Sequence, residues 1–182
     1  MPVAPDSGLA STGVRGALEA VCTGRAIVQY VTHRIEPTDA GEDECDGERE
    51  AAVDSRLAEP ARGDELVAHD VFAAAAEGDA FAQACLDAIH RYNAAGIGAV
   101  CNTVNPDQVT VGGGVALNTA AVLLAGLDAY LEEYLFVDRP RIRPTPLGDD
   151  VGLYGAAAIA RARVAATNVS AHSAADAPRA ED

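Results

Sequence analysis

Apolar residues recur at helical spacing along most of the chain and form short extended runs at two places. The pattern predicts helices over 17–31, 70–76 and 80–104, a strand over 109–111, a helix from 118 or 119 to about 131, a strand over 141–145 and a helix over 152–164. Helical and extended segments alternate in the second half, whereas the front of the chain has helices alone. This order is typical of a layered α/β domain that is short of strands at its front end.

The longest predicted helix, 80–104, has one apolar face and an unusually small second half. Asp79 is placed to cap it, as Asp70 is for the helix before it. The apolar stripe comprises Phe81, Cys85, Ala88 and Tyr92, broadened by Leu86, Ile89, Ile97 and Val100. The small residues are Ala94, Ala95, Gly96, Gly98 and Ala99. Because each glycine costs about 0.8–1 kcal/mol of helix propensity, we expect a close neighbour there, whether a helix, a sheet or a ligand, with packing the commoner cause.

Three segments lie outside this pattern. Residues 6–16 are rich in Gly and Ser and predict a loop or hairpin. Residues 36–65 are acidic, contain two prolines and have no clear period, so we expect a surface insertion with at most one short helix, and favour a plain loop over a lid. Residues 167–182 are polar and predict disorder. The predicted organisation is one folded domain over 1–166 followed by a disordered tail.

Three consecutive glycines, Gly112, Gly113 and Gly114, follow the predicted strand at Val109 to Val111. Glycine tolerates positive φ and lets backbone N–H groups approach a ligand, so the segment suits a phosphate- or nucleotide-facing turn, or a tight turn without ligand. A P-loop is excluded because it needs a lysine, and all 13 basic residues are arginines. The dinucleotide-binding fingerprint fits poorly, because Leu117 stands where its third glycine belongs.

Composition and charge narrow the function classes. A net charge of −15 and a pI of about 4.4 oppose contact with nucleic acid and anionic lipid, so neither a nucleic acid nor a membrane is expected as a partner. Molar salt shortens the electrostatic screening length to roughly 3 Å. An acidic, lysine-free chain suits a cytoplasm of molar salt, so the composition predicts a halophile. The sequence shows no signal peptide and no run of about 18 apolar residues, so we expect a cytoplasmic protein. The four cysteines and four histidines are scattered without metal-ligand spacing.

Four motifs occur in a characteristic order: Asn105-Pro106-Asp107, the triple glycine, Leu147-Gly148-Asp149-Asp150 and Gly155-Ala156-Ala157. In these motifs the chain resembles the C-terminal half of ROK-family sugar kinases, with its greatest likeness to the glucokinases of halophilic archaea. The resemblance runs from Met1 to about Ala166. It implies the actin-like ATPase (ribonuclease H-like) fold, of which this chain would be the C-terminal lobe without its leading strands.

The resemblance assigns roles to two sets of residues. Gly112 to Gly114 would lie beside the adenosine and phosphates of ATP. Glu19 matches the family's glutamate that binds sugar hydroxyls, which suits a carboxylate because it accepts two such bonds; an ordinary first-turn helix glutamate is the alternative. The positions of the family's zinc cysteines are occupied by Ala10, Thr12 and Ala17. We therefore expect no zinc.

Members of this family phosphorylate a sugar hydroxyl with ATP and Mg²⁺ between two closing lobes. The family's D-x-G-x-T phosphate turn and its proton-accepting aspartate match no residue of this sequence, so no catalytic residue is assigned. The resemblance thus implies a truncated or split kinase for glucose or a related hexose, inactive unless a separately encoded N-terminal half joins it or the true start lies upstream of Met1. A second copy of the chain, in a homo-oligomer, is a further candidate partner. Two alternatives stay open: a non-catalytic sugar-sensing or interaction module, and a decaying kinase remnant.

Overall fold

The computed structural model describes residues 1–36 and 51–175. The chain divides after Pro144 into two units, each of which we describe by itself. Within the described ranges, no helix is both long and apolar enough to cross a membrane.

A short antiparallel hairpin lies near the start of the first unit. Strands β1 (Ala10–Ser11) and β2 (Val14–Arg15) pair with Ala10 opposite Arg15. The two residues between the strands, Thr12 and Gly13, have φ values of 50° and 81°. Positive φ at both central positions gives the turn a twist that matches paired strands. The predicted loop or hairpin over 6–16 is confirmed as a hairpin.

Two helices follow where the sequence predicted one. Helix α1 (Glu19–Cys22) stops before Thr23, and helix α2 (Gly24–Ile35) begins directly after it. Thr23 has extended backbone, and its hydroxyl oxygen accepts the N–H of Ala26 at 3.2 Å, which caps α2. The prediction of one helix over 17–31 is therefore wrong, because a threonine cap interrupts it. The apolar spacing did not reveal the break, since the buried face continues through both helices.

The predicted surface insertion is only partly a surface feature. Residues 37–50 lie outside the described residues, so that part stays a prediction. In the remainder, Ala52, Leu57 and Ala61 are buried, and Ala61 belongs to helix α3 (Ala58–Arg62). The expectation of a plain surface loop is wrong for this stretch, because its few apolar residues turn inward and join the core.

Helices α4 (Ala68–Ala76) and α5 (Ala80–Val104) pack with α2 around the core. Asp79 caps α5 by accepting the Ala82 N–H at 2.9 Å, as predicted. Asp70 instead lies inside α4, where its carboxylate accepts the Val67 N–H at 3.1 Å, so α4 starts earlier than predicted. The largest core residues are Val21, Ile27, Tyr30, Val31, Leu57, Leu66, Val71, Phe81, Leu86 and Ile89.

Close packing explains the small second half of α5. A Cβ built on Gly96 would lie 2.8 Å from the side chain of Leu18, and one on Gly98 would lie 2.7 Å from the Cβ of Tyr134. Interiors are too closely packed to absorb such overlaps without movement, so neighbouring segments require both glycines. Val100, which was expected to extend the apolar stripe, is 49% exposed.

The first unit ends in a parallel strand pair joined by helices. Strand β3 (Gln108–Val111) pairs with β4 (Arg141–Pro144), with Val109 opposite Ile142. The connection contains α6 (Gly114–Asn118), α7 (Ala120–Tyr130) and a 3₁₀ turn (Leu131–Tyr134). Parallel strands need such a crossover, which confirms the α/β class. The predicted helix from 118 or 119 is α7, while the five residues of α6 are too few to show a period.

The second unit contains a 3₁₀ turn (Gly148–Asp150) and helix α8 (Val151–Ala175). Residues 151–164 of α8 are all exposed. The helix continues past Val164, where the sequence predicted its end, and takes in 167–175 of the predicted disordered tail, because alanine-rich sequence favours helix. Residues 176–182 lie outside the described part of the chain.

Candidate functional site

The glycine turn between β3 and α6 borders open space. Gly113 has φ +89°, a conformation that favours glycine, and Gly114 is the first residue of α6. A Cβ built on Gly113 or Gly114 would meet no atom within 4 Å. Backbone conformation therefore accounts for glycine at 113. At Gly114 neither a positive φ nor packing against the described residues accounts for it, which leaves room for a ligand that approaches the backbone.

A cavity of about 330 Å³, which we call the glycine cavity, lies beside this turn. Its walls are formed by the start of α2, one face of α5, the turn itself and the start of α6, with one residue each from α4 and α7. The apolar lining residues are Ile27, Phe72, Ile89, Val111, Val115, Ala116 and Leu123, and the polar ones are Cys22, Thr23, His90 and Asn93. Gly24 allows α2 to approach α6, since an added Cβ there would lie 3.3 Å from Val115 Cγ2. The turn is thus one wall of a largely apolar cavity.

The described side chains that line this cavity are uncharged near neutral pH. Burial lowers the pKa of His90 below its ordinary 6.5, and the nearby carboxylate of Asp87 opposes the shift. The Nε2 atom of His90 is buried without a hydrogen-bond partner within the described residues. Burial also raises the pKa of the Cys22 thiol to about 12, so this thiol stays protonated and is a poor nucleophile.

Glu19 lies in a second, polar depression of about 250 Å³. Its Oε2 accepts a hydrogen bond from Ser11 Oγ at 3.0 Å, which ties α1 to the hairpin. Arg25 and Gln29 line the same depression. Thr23 lines both this depression and the glycine cavity, so the two candidate sites adjoin at the start of α2. The structure therefore brings Glu19 and the glycine turn to neighbouring positions.

Backbone contacts hold the segment in which the family has zinc cysteines. Ala10 lies in the hairpin, and Ala17 forms an antiparallel bridge with Pro2. The N–H of Gly16 donates to the carbonyl of Leu9 at 2.7 Å. Across residues 1–36 and 51–175, no three His, Cys, Asp or Glu side chains are grouped as a metal site would require.

The sequence predicted the turn and Glu19 but not the side chains around them. His90 and Asn93 are three residues apart on α5, a spacing that places them on the same helix face and was the available signal. Ser11 and Thr23 carry no such signal. Their roles depend on a hairpin and a helix cap that only the fold reveals.

Comparison with known proteins agrees with this architecture. A glucokinase from Aeropyrum pernix is 40% identical over 94 residues, which cover 51% of this chain and 29% of that protein. A ROK family glucokinase from Streptomyces griseus, in complex with glucose and AMPPNP, has a TM-score of 0.65 and 25% identity over 88% of this chain and 49% of its own. A ROK family transcriptional regulator, a homolog of the E. coli MLC protein, has a TM-score of 0.54 and 25% identity over 79% of this chain and 33% of its own.

The chain therefore spans at most about half the length of these relatives. The likeness to the glucokinase structure supports an α/β kinase-like fold. The family match itself extends over residues 1–163, nearly the whole sequence. On that match, the chain belongs to the ROK family.

Proposed function

We propose that this chain supplies the nucleotide-facing and sugar-facing residues of a ROK sugar kinase, as the C-terminal lobe of its fold. The observation that carries the proposal is the adjacency of two different sites at Thr23. Phosphoryl transfer requires a sugar hydroxyl next to the terminal phosphate, so a sugar site and a nucleotide site must adjoin. Glucose or a related hexose is the acceptor, and ATP is the donor.

Each residue has a chemical role in this proposal. Gly112 to Gly114 let the adenosine and phosphates approach the backbone. The Glu19 carboxylate accepts hydrogen bonds from sugar hydroxyls, and Ser11 Oγ holds the carboxylate in place. Mg²⁺ arrives with ATP; among the described residues no Asp or Glu lines the glycine cavity, so we assign the ion no protein ligand there.

The described residues include no group that we assign as general base. Transfer of the phosphoryl group to the sugar oxygen releases a proton that some group must accept. Loss of a general base costs about 10²–10⁴ in rate, so we expect the 182 residues alone to be inactive and to need a separately encoded N-terminal half, or the complete reading frame. We further propose a cytoplasmic, halophilic origin, on the net charge of −15 without lysine, and no structural zinc.

A coupled glucose kinase assay in molar KCl tests this function. The assay compares the 182-residue chain with a version extended through the upstream genomic reading frame. We expect ATP-dependent glucose phosphorylation by the extended protein alone, lost in Glu19→Gln and retained in Glu133→Gln, which changes an exposed glutamate of the 3₁₀ turn. Folded, soluble samples without activity in either version would rule out the kinase proposal.

A sugar-sensing module is the second candidate. It is favoured by the likeness to a ROK family transcriptional regulator. A sensor binds glucose without binding ATP, whereas the kinase proposal requires both. Calorimetric titration of each ligand into the 182-residue chain separates the two, and a decayed remnant would bind neither.

A further inference from the structure

Helix α8 presents an apolar surface that the described residues leave open. Residues 151–164 are all exposed, although their side chains are apolar apart from Tyr154, Arg161 and Arg163. A helix that is apolar on most sides is normally buried in the native protein. Exposed apolar patches of this kind usually mark a contact surface, so we expect another polypeptide to cover part of α8.

One line of residues along α8 has the spacing of a helix pair. Leu153, Ala157, Ala160 and Val164 follow one another at intervals of four, three and four residues, the repeat that faces a partner helix in coiled coils. We call these four residues the α8 seam. Leu153 and Val164, at its two ends, are 71% and 61% exposed. The alanines between them are small, which suits two helix axes about 8–10 Å apart.

Charges of opposite sign lie at the two ends of the exposed segment. Asp149 and Asp150 lie in the 3₁₀ turn directly before α8, and Arg161 and Arg163 lie about three helical turns further on. In a parallel pair of such helices, each charged end would face its like. In an antiparallel pair, the acidic end of each copy would lie beside the basic end of the other. This self-complementarity favours a second copy of the chain as the partner.

The charge of the whole chain points to the same segment. A net charge of −15 means that the surface in general repels a second copy. Residues 151–164 contain two arginines and no acidic residue. Charge repulsion therefore opposes the approach of two copies least at α8, and molar salt screens the remaining repulsion.

We propose that two copies of this chain associate through the α8 seam, with their helices antiparallel and crossing near Ala156. This register sets Leu153 of each copy level with the interval between Ala157 and Ala160 of the other, so a large side chain packs over small ones. It also sets the two aspartates of each copy level with the two arginines of the other. The same surface is used on both copies, as in a two-fold symmetric dimer. The inference does not depend on the kinase proposal, since it needs neither sugar nor nucleotide.

Sedimentation equilibrium of the 182-residue chain in molar KCl, over a series of protein concentrations, tests the inference. We expect wild type to show a monomer–dimer equilibrium. Leu153→Asp should weaken the dimer by at least about tenfold, because it removes a buried leucine from both halves of the contact. Val53→Asp changes a valine outside α8 that is 64% exposed, and should leave the association unchanged. Circular dichroism of each variant checks that its helices are intact.

A charge exchange tests the antiparallel arrangement. Reversal of the acidic pair, Asp149→Arg with Asp150→Arg, should weaken the dimer several-fold because arginines then face arginines. Reversal of the basic pair, Arg161→Asp with Arg163→Asp, should do the same. The chain with all four changes should recover an affinity close to that of wild type. In a parallel pair like charges already face each other, so neither reversal would change the affinity.

Several results would overturn the proposal. Wild type that is monomeric at every concentration rules out the dimer, and a dimer that Leu153→Asp leaves intact uses another surface. Folded reversal variants with unchanged affinity rule out the antiparallel arrangement. A monomeric wild type that instead binds a separately expressed segment of the upstream reading frame, and loses that binding in Leu153→Asp, overturns the proposal by assigning the α8 seam to that segment.

Discussion

Gly114 and Gly126 offer a contrast between a glycine left open for a ligand and a glycine required by packing. At Gly114 an added Cβ meets nothing within 4 Å, whereas at Gly126 it would lie 2.2 Å from the His90 ring. Neither glycine has a positive φ. Alanine at the two positions therefore tests function and stability separately, with the same change in side-chain volume.

The expected magnitudes follow from these contacts. Gly126→Ala overpacks the α5–α7 contact at a cost of about 1–3 kcal/mol. For a chain of this size that lowers Tm by about 2–12 °C. Gly114→Ala places a better helix former at the first position of α6, which stabilises by at most about 1 kcal/mol. Its methyl group would nevertheless hold a phosphate away from the backbone, and loss of a charged hydrogen bond of about 1.5–3 kcal/mol weakens ATP binding by roughly 10- to 150-fold.

Thermal unfolding and calorimetric ATP titration measure the two effects. We expect Gly114→Ala to keep or slightly raise the wild-type Tm and to lose ATP affinity, and Gly126→Ala to lower the Tm. The reasoning is refuted if Gly114→Ala is as destabilising as Gly126→Ala, or if it binds ATP as wild type does.

Three further predictions concern single side chains. Ser11→Ala should raise the glucose KM of the active, extended protein several-fold with little change in kcat, while Thr12→Ala, whose hydroxyl donates to the Ser11 carbonyl, should not; equal effects would contradict a positioning role for Ser11. Because burial holds the folded-state pKa of His90 below 6.5, the unfolded state binds more protons than the folded state below that pH. The free energy of unfolding should therefore fall as the pH drops below about 6.5. Urea unfolding at pH 7.5 and 5.5 should show a smaller loss of stability in His90→Gln than in wild type. Cys22, with its pKa raised to about 12, should react with iodoacetamide at pH 8 far more slowly in the folded chain than in urea, as peptide mapping would show; equal rates would contradict its burial.

The sequence predicted the parts of the fold that depend on local pattern. The Asp79 cap, the long helix α5, the hairpin and the order of β3, α7 and β4 all follow from periodicity, capping and turn residues. The break at Thr23 could not be predicted from the sequence pattern, because the cap lies inside a continuous apolar stripe. The burial of Leu57 could not be predicted either, because it depends on tertiary packing. Propensity is a weak prior where such contacts compete.

The candidate site was predictable to the extent that it is encoded in consecutive residues. The glycine turn is visible in the sequence as three consecutive glycines. Glu19 was assigned through the resemblance to ROK-family sugar kinases. The adjacency of the two sites depends on Thr23, which belongs to the walls of both and joins segments nearly a hundred residues apart in sequence. The open space at Gly114, in contrast to the filled space at Gly96 and Gly98, depends on tertiary packing, which the sequence pattern does not show.

The claim that the glycine turn and Glu19 belong to one site is tested most directly by NMR of the isotope-labelled 182-residue chain, titrated with Mg·ATP and with glucose. We predict that ATP shifts the backbone amides of Gly112 to Gly114, that glucose shifts those of Ser11 and Glu19, and that both ligands shift Thr23. Shifts from ATP that spare the glycine turn, or from glucose that spare Glu19, would contradict the account.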